Sequence, residues 1–177
     1  MSSSAFVDLA SSIDLRQSTA LNVLDGSTEA LRGIIGPEAS GTGILSSDPD
    51  VDAQVLLSVA FQNAVKLHSI AIKADVNPPE NGSGPATVHV FIGKPNLDFS
   101  EAQSSSPVQT LHVTEADLSG KPIPLRFVKF QNVHSVQLFI ESNQDQEDVT
   151  FINRIQFNGA SVQGMNVGDL KNMHDEH

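Results

Sequence analysis

The 177 residues include no cysteine, no tryptophan and no tyrosine. Without a thiol, the chain can form no disulfide, zinc–thiolate site or dithiol redox centre. Small secreted domains often lean on disulfides, so their absence favours a reducing setting, cytoplasmic and also nuclear. Without tryptophan or tyrosine, nine phenylalanines are the only aromatics, and the rings that usually stack on sugars are missing. Bases are scarce too: 10 Lys and Arg against 21 Asp and Glu leave a net charge of -11. Such a surface repels phosphate backbones and anionic lipid, which excludes nucleic acid and membrane as expected partners and favours a basic protein surface. No apolar run approaches the ~18 residues that a bilayer demands. Met1 to Ala10 is serine-rich and lacks the basic and apolar regions of a signal peptide.

What is present alternates with a period of two. The length fits one domain. Buried or alternating runs occur at 54–62, 65–74, 86–93, 108–113, 123–130, 133–142 and 149–157, with a first short strand at 20–24. Turn chemistry separates them, most densely at Asn77-Pro-Pro-Glu-Asn-Gly82. About eight short strands without a long helix predict an all-β, jelly-roll β-sandwich. Residues 5–16 are expected to be a short helix or adherent arm. From Asp25 to Asp52 the chain reads as loop, pinned by Leu31–Ile35. After Gly159 the period is lost and an irregular tail is expected.

No motif for chemistry is complete. Asp48, Asp50 and Asp52 begin like a calcium loop, but Ala53 stands where the turn needs glycine and Val59 where a bidentate glutamate belongs. A solvated acidic loop is the plainer expectation. None of His68, His89, His112 and His134 has an i+2 or i+4 partner. His68 shares the parity of Ile70 and Ile72 and is expected half-buried, and His89 outward. No catalytic residue, metal ligand or cofactor site is expected, and no nucleotide or nucleophile-elbow motif occurs. In 133–142, Val136, Leu138 and Ile140 are expected in the core and Gln137, Phe139 and Glu141 outside. In 123–130 either face carries a Phe and a cation, so the run is a strand buried on both sides or an exposed contact surface holding Arg126, Phe127 and Lys129. The terminal His174 and His177 are either solvated or offered to a partner's metal.

Residues 125–144, LRFVKFQNVHSVQLFIESNQ, resemble the PITH domain, the proteasome-interacting module of thioredoxin-like proteins. Phe127 followed by VKFQNV looks like the family signature. Asp50-Val-Asp52-Ala-Gln54 before VLLSVAF is similar to its D-x-D-E-Q segment, with Ala53 in place of the usual glutamate. KLHSIAIK at 66–73, Gly84-Pro85, Asp98-Phe99 and the stretch from Met165-Asn166 to Leu170-Lys171 continue the likeness, from residue 8 to 177, leaving 1–7 as a flexible N-terminal segment. The resemblance implies a galactose-binding-domain-like sandwich. The chain itself is expected to be a monomer; the resemblance also implies a non-catalytic module that docks on subunits of the proteasome regulatory particle and tethers a thioredoxin domain to it. It further implies tail contacts through Asn166, Asp169, Leu170, Lys171, His174 and His177, the last reaching a metal-dependent deubiquitinase. The acids at 48–52 and 145–148 are expected to meet basic subunits. Alternatives are a jelly roll that binds sugar or another small molecule, or part of a disulfide reductase whose thioredoxin domain lies outside this chain.

Overall fold

A computed structural model describes residues 6–24 and 28–162. In chain order it holds β1 (Val7–Asp8), β2 (Ile13–Leu21), helix α1 (Thr28–Ile35), β3 (Leu45–Ser46) and β4 (Val55–Lys73). These are followed by β5 (Gly82–Ser83), β6 (Thr87–Ile92), helix α2 (Phe99–Ser104), β7 (Gln109–His112) and β8 (Ser119–Pro124). β9 (Val133–Ile140), β10 (Val149–Ile152) and β11 (Arg154–Ser161) complete the order. Eight of these strands are four residues or longer. The expected all-β sandwich is present.

β4 organises the molecule. It is one strand of 19 residues where two are expected. Its first half pairs antiparallel with β9 and β2, and its second half with β11 and β8. The pairing with β9 breaks between Ala60 and Val65, around the exposed Gln62 and Asn63. Both flanks of β4 return to one place. Thr150 Oγ1 donates to the Ala53 carbonyl at 2.7 Å, and Asn153 N–H donates to the Lys73 carbonyl at 2.7 Å. The strand therefore folds back at residues 62–64 and serves both layers, as corner strands of sandwiches do. Val55, Leu57 and Val59 of β4 fill the core with Val88 and Val90 of β6 and with Val136, Leu138 and Ile140 of β9. Ile70 and Ile72 from the second half of β4, and Ile155 and Phe157 of β11, close it from the other side.

The outer face of β4, β9 and β6 is also covered. Leu56, Phe91 and Phe139 are buried beneath Leu97, Phe99 and Ala102 from α2 and the turn before it. Gln137, expected outside, has no exposed surface: its Nε2 donates to the hydroxyls of Ser58 and Ser135, both at 3.1 Å, and its Oε1 accepts from Lys94 N–H at 3.0 Å. Gln137 and Phe139 do point away from the core, as parity dictates, but a second layer lies over them.

Other expectations change in detail. The arm is adherent: β1 pairs with β11, and β2 begins at Ile13, well before residue 20. Leu31–Ile35 is the buried stripe of α1, which occupies part of the expected loop. The run 149–157 is interrupted at Asn153. Gly159 sits at a register shift against β4, where a Cβ would lie 1.8 Å from the Lys66 carbonyl oxygen. Only glycine lets the two backbones approach that closely.

Candidate functional site

The expected strand 123–130 stops early. Pro122 and Pro124 have no N–H to offer a ladder, and β8 ends at Pro124. Leu125 N–H still bonds to the His68 carbonyl at 2.9 Å, and Arg126 N–H to Gln109 Oε1 at 2.8 Å. Phe127–Lys129 then forms a 3-10 turn closed by Lys129 N–H to the Arg126 carbonyl at 2.8 Å. Phe130, with no exposed surface, anchors it in the core.

The turn pushes Val128 out to 82% exposure between the exposed Arg126 and Lys129. Neither cation has an ion pair among the described residues. Phe127 is half-buried, edge-on to Phe6 at 5.3 Å, and Phe6 stacks on His68 at 4.3 Å. His68 is exposed rather than half-buried because it is the extra residue at the register shift against β11, between Leu67 and Ser69, which reverses the parity shared with Ile70 and Ile72; Phe6 stacks on its ring. The strand buried on both sides is therefore not what 123–130 forms: the structure leaves Arg126 and Lys129 exposed and brings them together with the half-buried Phe127. Asn166, Asp169, Leu170, Lys171, His174 and His177 lie outside the described residues.

The acidic loops sit at the other end, near the two flanks of β4. Asp48 Oδ1 accepts from Asp50 N–H at 2.9 Å, and Asp52 Oδ1 from Gln54 N–H at 3.0 Å and Asn22 Nδ2 at 2.8 Å. Asp145 Oδ2 accepts from Ser83 Oγ at 3.0 Å. These carboxylates shape loops. Among the described residues, no group of three His, Asp or Glu side chains is arranged to hold a metal ion.

Two buried asparagines fix that end. Asn153 Oδ1 accepts from Asp75 and Val76 N–H at 3.0 and 2.9 Å, and its Nδ2 donates to the Gly43 and Val76 carbonyls at 2.8 and 3.0 Å. Asn143 Nδ2 donates to the Glu147 carbonyl and Thr150 Oγ1, both at 3.0 Å, and its Oδ1 accepts from Glu147 N–H at 2.8 Å. Sequence reasoning missed both roles, because Asn143 reads as turn chemistry and Asn153 falls inside the expected strand 149–157.

A third feature opens beside α2. His89 stands outward as expected. Its Nε2–H donates to Glu141 Oε1 at 2.5 Å, its Nδ1 meets Thr110 Oγ1 at 2.9 Å, and its ring stacks on Phe139 at 5.7 Å. With Gln54, Gln103 and Ser105 it lines a cleft of about 400 Å³. The Thr–His–Glu order has the connectivity of a proton relay, but the Thr110 side chain is not among the cleft's walls. The contacts orient the ring.

The PITH domain family model matches residues 1–175. Thioredoxin-like protein 1 of Schizosaccharomyces pombe is 40% identical over 127 residues, which cover 70% of this chain and 43% of that protein. The chain thus spans under half the length of this relative. Among solved structures, the family 32 carbohydrate-binding module of Clostridium perfringens NanJ in complex with galactose superposes with a TM-score of 0.60 at 14% identity, covering 86% of this chain and 98% of the module. An F5/8 type C domain from Bacteroides fragilis gives 0.57 at 9% identity, over 89% and 97%. At such identities the likeness shows the jelly-roll fold alone.

Proposed function

Because the chain belongs to the PITH domain family, we propose that it is a non-catalytic docking module for the proteasome regulatory particle, one that tethers a thioredoxin domain there in proteins that carry both. The observation that carries this reading is Val128, 82% exposed in a chain of net charge -11. It stands between two cations that have no ion pair among the described residues. An apolar side chain held out by a turn, with a buried Phe130 behind it, suits insertion into a partner's pocket. The flanking cations suit an acidic rim around that pocket. The segment 165–177, with His174 and His177, is assigned a second contact, with the metal-dependent deubiquitinase.

The test is capture of regulatory particles by this chain, repeated with Val128→Asp and with residues 165–177 deleted. Loss on Val128→Asp supports the turn as the anchor. Undiminished capture after the deletion removes the tail from the account. The rival reading, a small polar ligand such as a sugar in the His89 cleft, is weakened because Phe139 is only 2% exposed and lies beneath the histidine, so its face is not free to stack. A thermal-shift screen of sugars that raised the melting temperature would revive it.

A further inference from the structure

Among the described residues, the large apolar side chains that remain exposed fall into two groups. Val7 and Val128 belong to the end where β4 bends. Leu21, Leu24, Ile44 and Val51, between 40% and 65% exposed, belong to the other end. Their segments are tied together by the bridge between Val23 and Ser47 and by the bond from Asp48 N–H to the Asn22 carbonyl at 3.0 Å.

Between these segments and the turn at 79–81 runs a groove of about 320 Å³, walled by Leu24, Pro49, Pro79, Glu80, Asp148 and Val149. Among the described residues, no lysine or arginine borders it. The acids of this end divide by what they bond. Asp48, Asp52 and Asp145 hold loop atoms. The carboxylates of Asp50, Glu80 and Asp148 are exposed and have no hydrogen-bond or ion-pair partner among the described residues.

We propose that this groove is a second docking site, distinct from the Val128 turn, and that its occupant is an extended basic segment of a partner protein that alternates apolar and cationic side chains. The apolar floor takes the apolar residues. Glu80 and Asp148 in the lining, with Asp50 next to Pro49 in sequence, take the cations, with no lysine or arginine in the lining to repel them. A purely polar basic chain would gain only the screened surface charge and would leave Leu24 and Val51 wet. The burial and charge of this end carry the assignment, whichever partner the Val128 turn engages.

The probe is a fluorescein-labelled peptide of Leu-Lys-Ser repeats, followed by anisotropy against the full chain, with Lys-Ser and Leu-Glu-Ser repeats as controls. Saturable binding of the Leu-Lys-Ser peptide alone is expected, with about a tenfold loss for Val51→Ser combined with Leu24→Ser, and about a fivefold loss for Glu80→Gln combined with Asp148→Asn. Arg126→Ala should leave binding unchanged. Amide shifts in the unaltered protein must centre on residues 24, 49–51, 80 and 148, which keeps the test valid should a variant fail to fold. Equal binding of the Lys-Ser peptide, shifts centred on 126–129, or no saturable binding would each overturn the proposal.

Discussion

At the bend of β4, Val128 stands 82% exposed between Arg126 and Lys129; at the opposite end, Val51 stands 65% exposed between Asp50 and Asp52. The two ends share a device, an apolar side chain presented in a charged frame, with the sign reversed. They are built differently. The basic end is a single short turn steadied by Phe130 and by Gln131 Nε2, which donates to the Phe127 carbonyl at 2.6 Å. The acidic end is several loops gathered by Asn143, Asn153 and Thr150, all at or below 4% exposure. A turn on a hydrophobic anchor tolerates changes at its tip. Loops held by a few buried amides do not tolerate loss of an amide.

That contrast can be broken most severely at Asn153. Asn153→Ala removes four bonds to backbone groups from a site with no exposed surface. It should cost about 3 kcal/mol in urea unfolding. Gly159→Ala comes next: its Cβ would collide with the Lys66 carbonyl, and about 2 kcal/mol is expected from the same measurement. At the basic end the expectation inverts. Val128→Asp should leave stability within about 0.5 kcal/mol, since little of the side chain is buried, while capture of regulatory particles falls about tenfold. Smallest is Asp8→Asn, which removes the partly exposed pair with Arg154 Nη2 at 2.9 Å. A shift under about 0.5 kcal/mol in urea is expected there. A large loss from Val128→Asp in urea would erase the contrast.

Strand periodicity made the sandwich legible, and the parity of β9 was legible as well: Val136, Leu138 and Ile140 are in the core. The burial of Gln137 and Phe139 was not, because alternation reports which way a side chain points and nothing about a layer laid over it. At 123–130, β-favouring Phe127, Val128 and Phe130 suggested a longer strand, and the signal against it was present in Pro122 and Pro124. The bend in β4 had a trace in the polar Gln62 and Asn63 between two apolar runs. Of the acid-walled groove only the acids at 48–52 and 145–148 were legible; its shape was not, since Leu24, Pro49, Glu80 and Asp148 meet only through the fold.

The most direct test of the docking account places a photo-crosslinking amino acid at position 128 and irradiates the chain with purified regulatory particle. The account predicts a covalent adduct to one regulatory-particle subunit, abolished by excess unlabelled chain. Capture of particles with no adduct from position 128, or no capture at all, would contradict it.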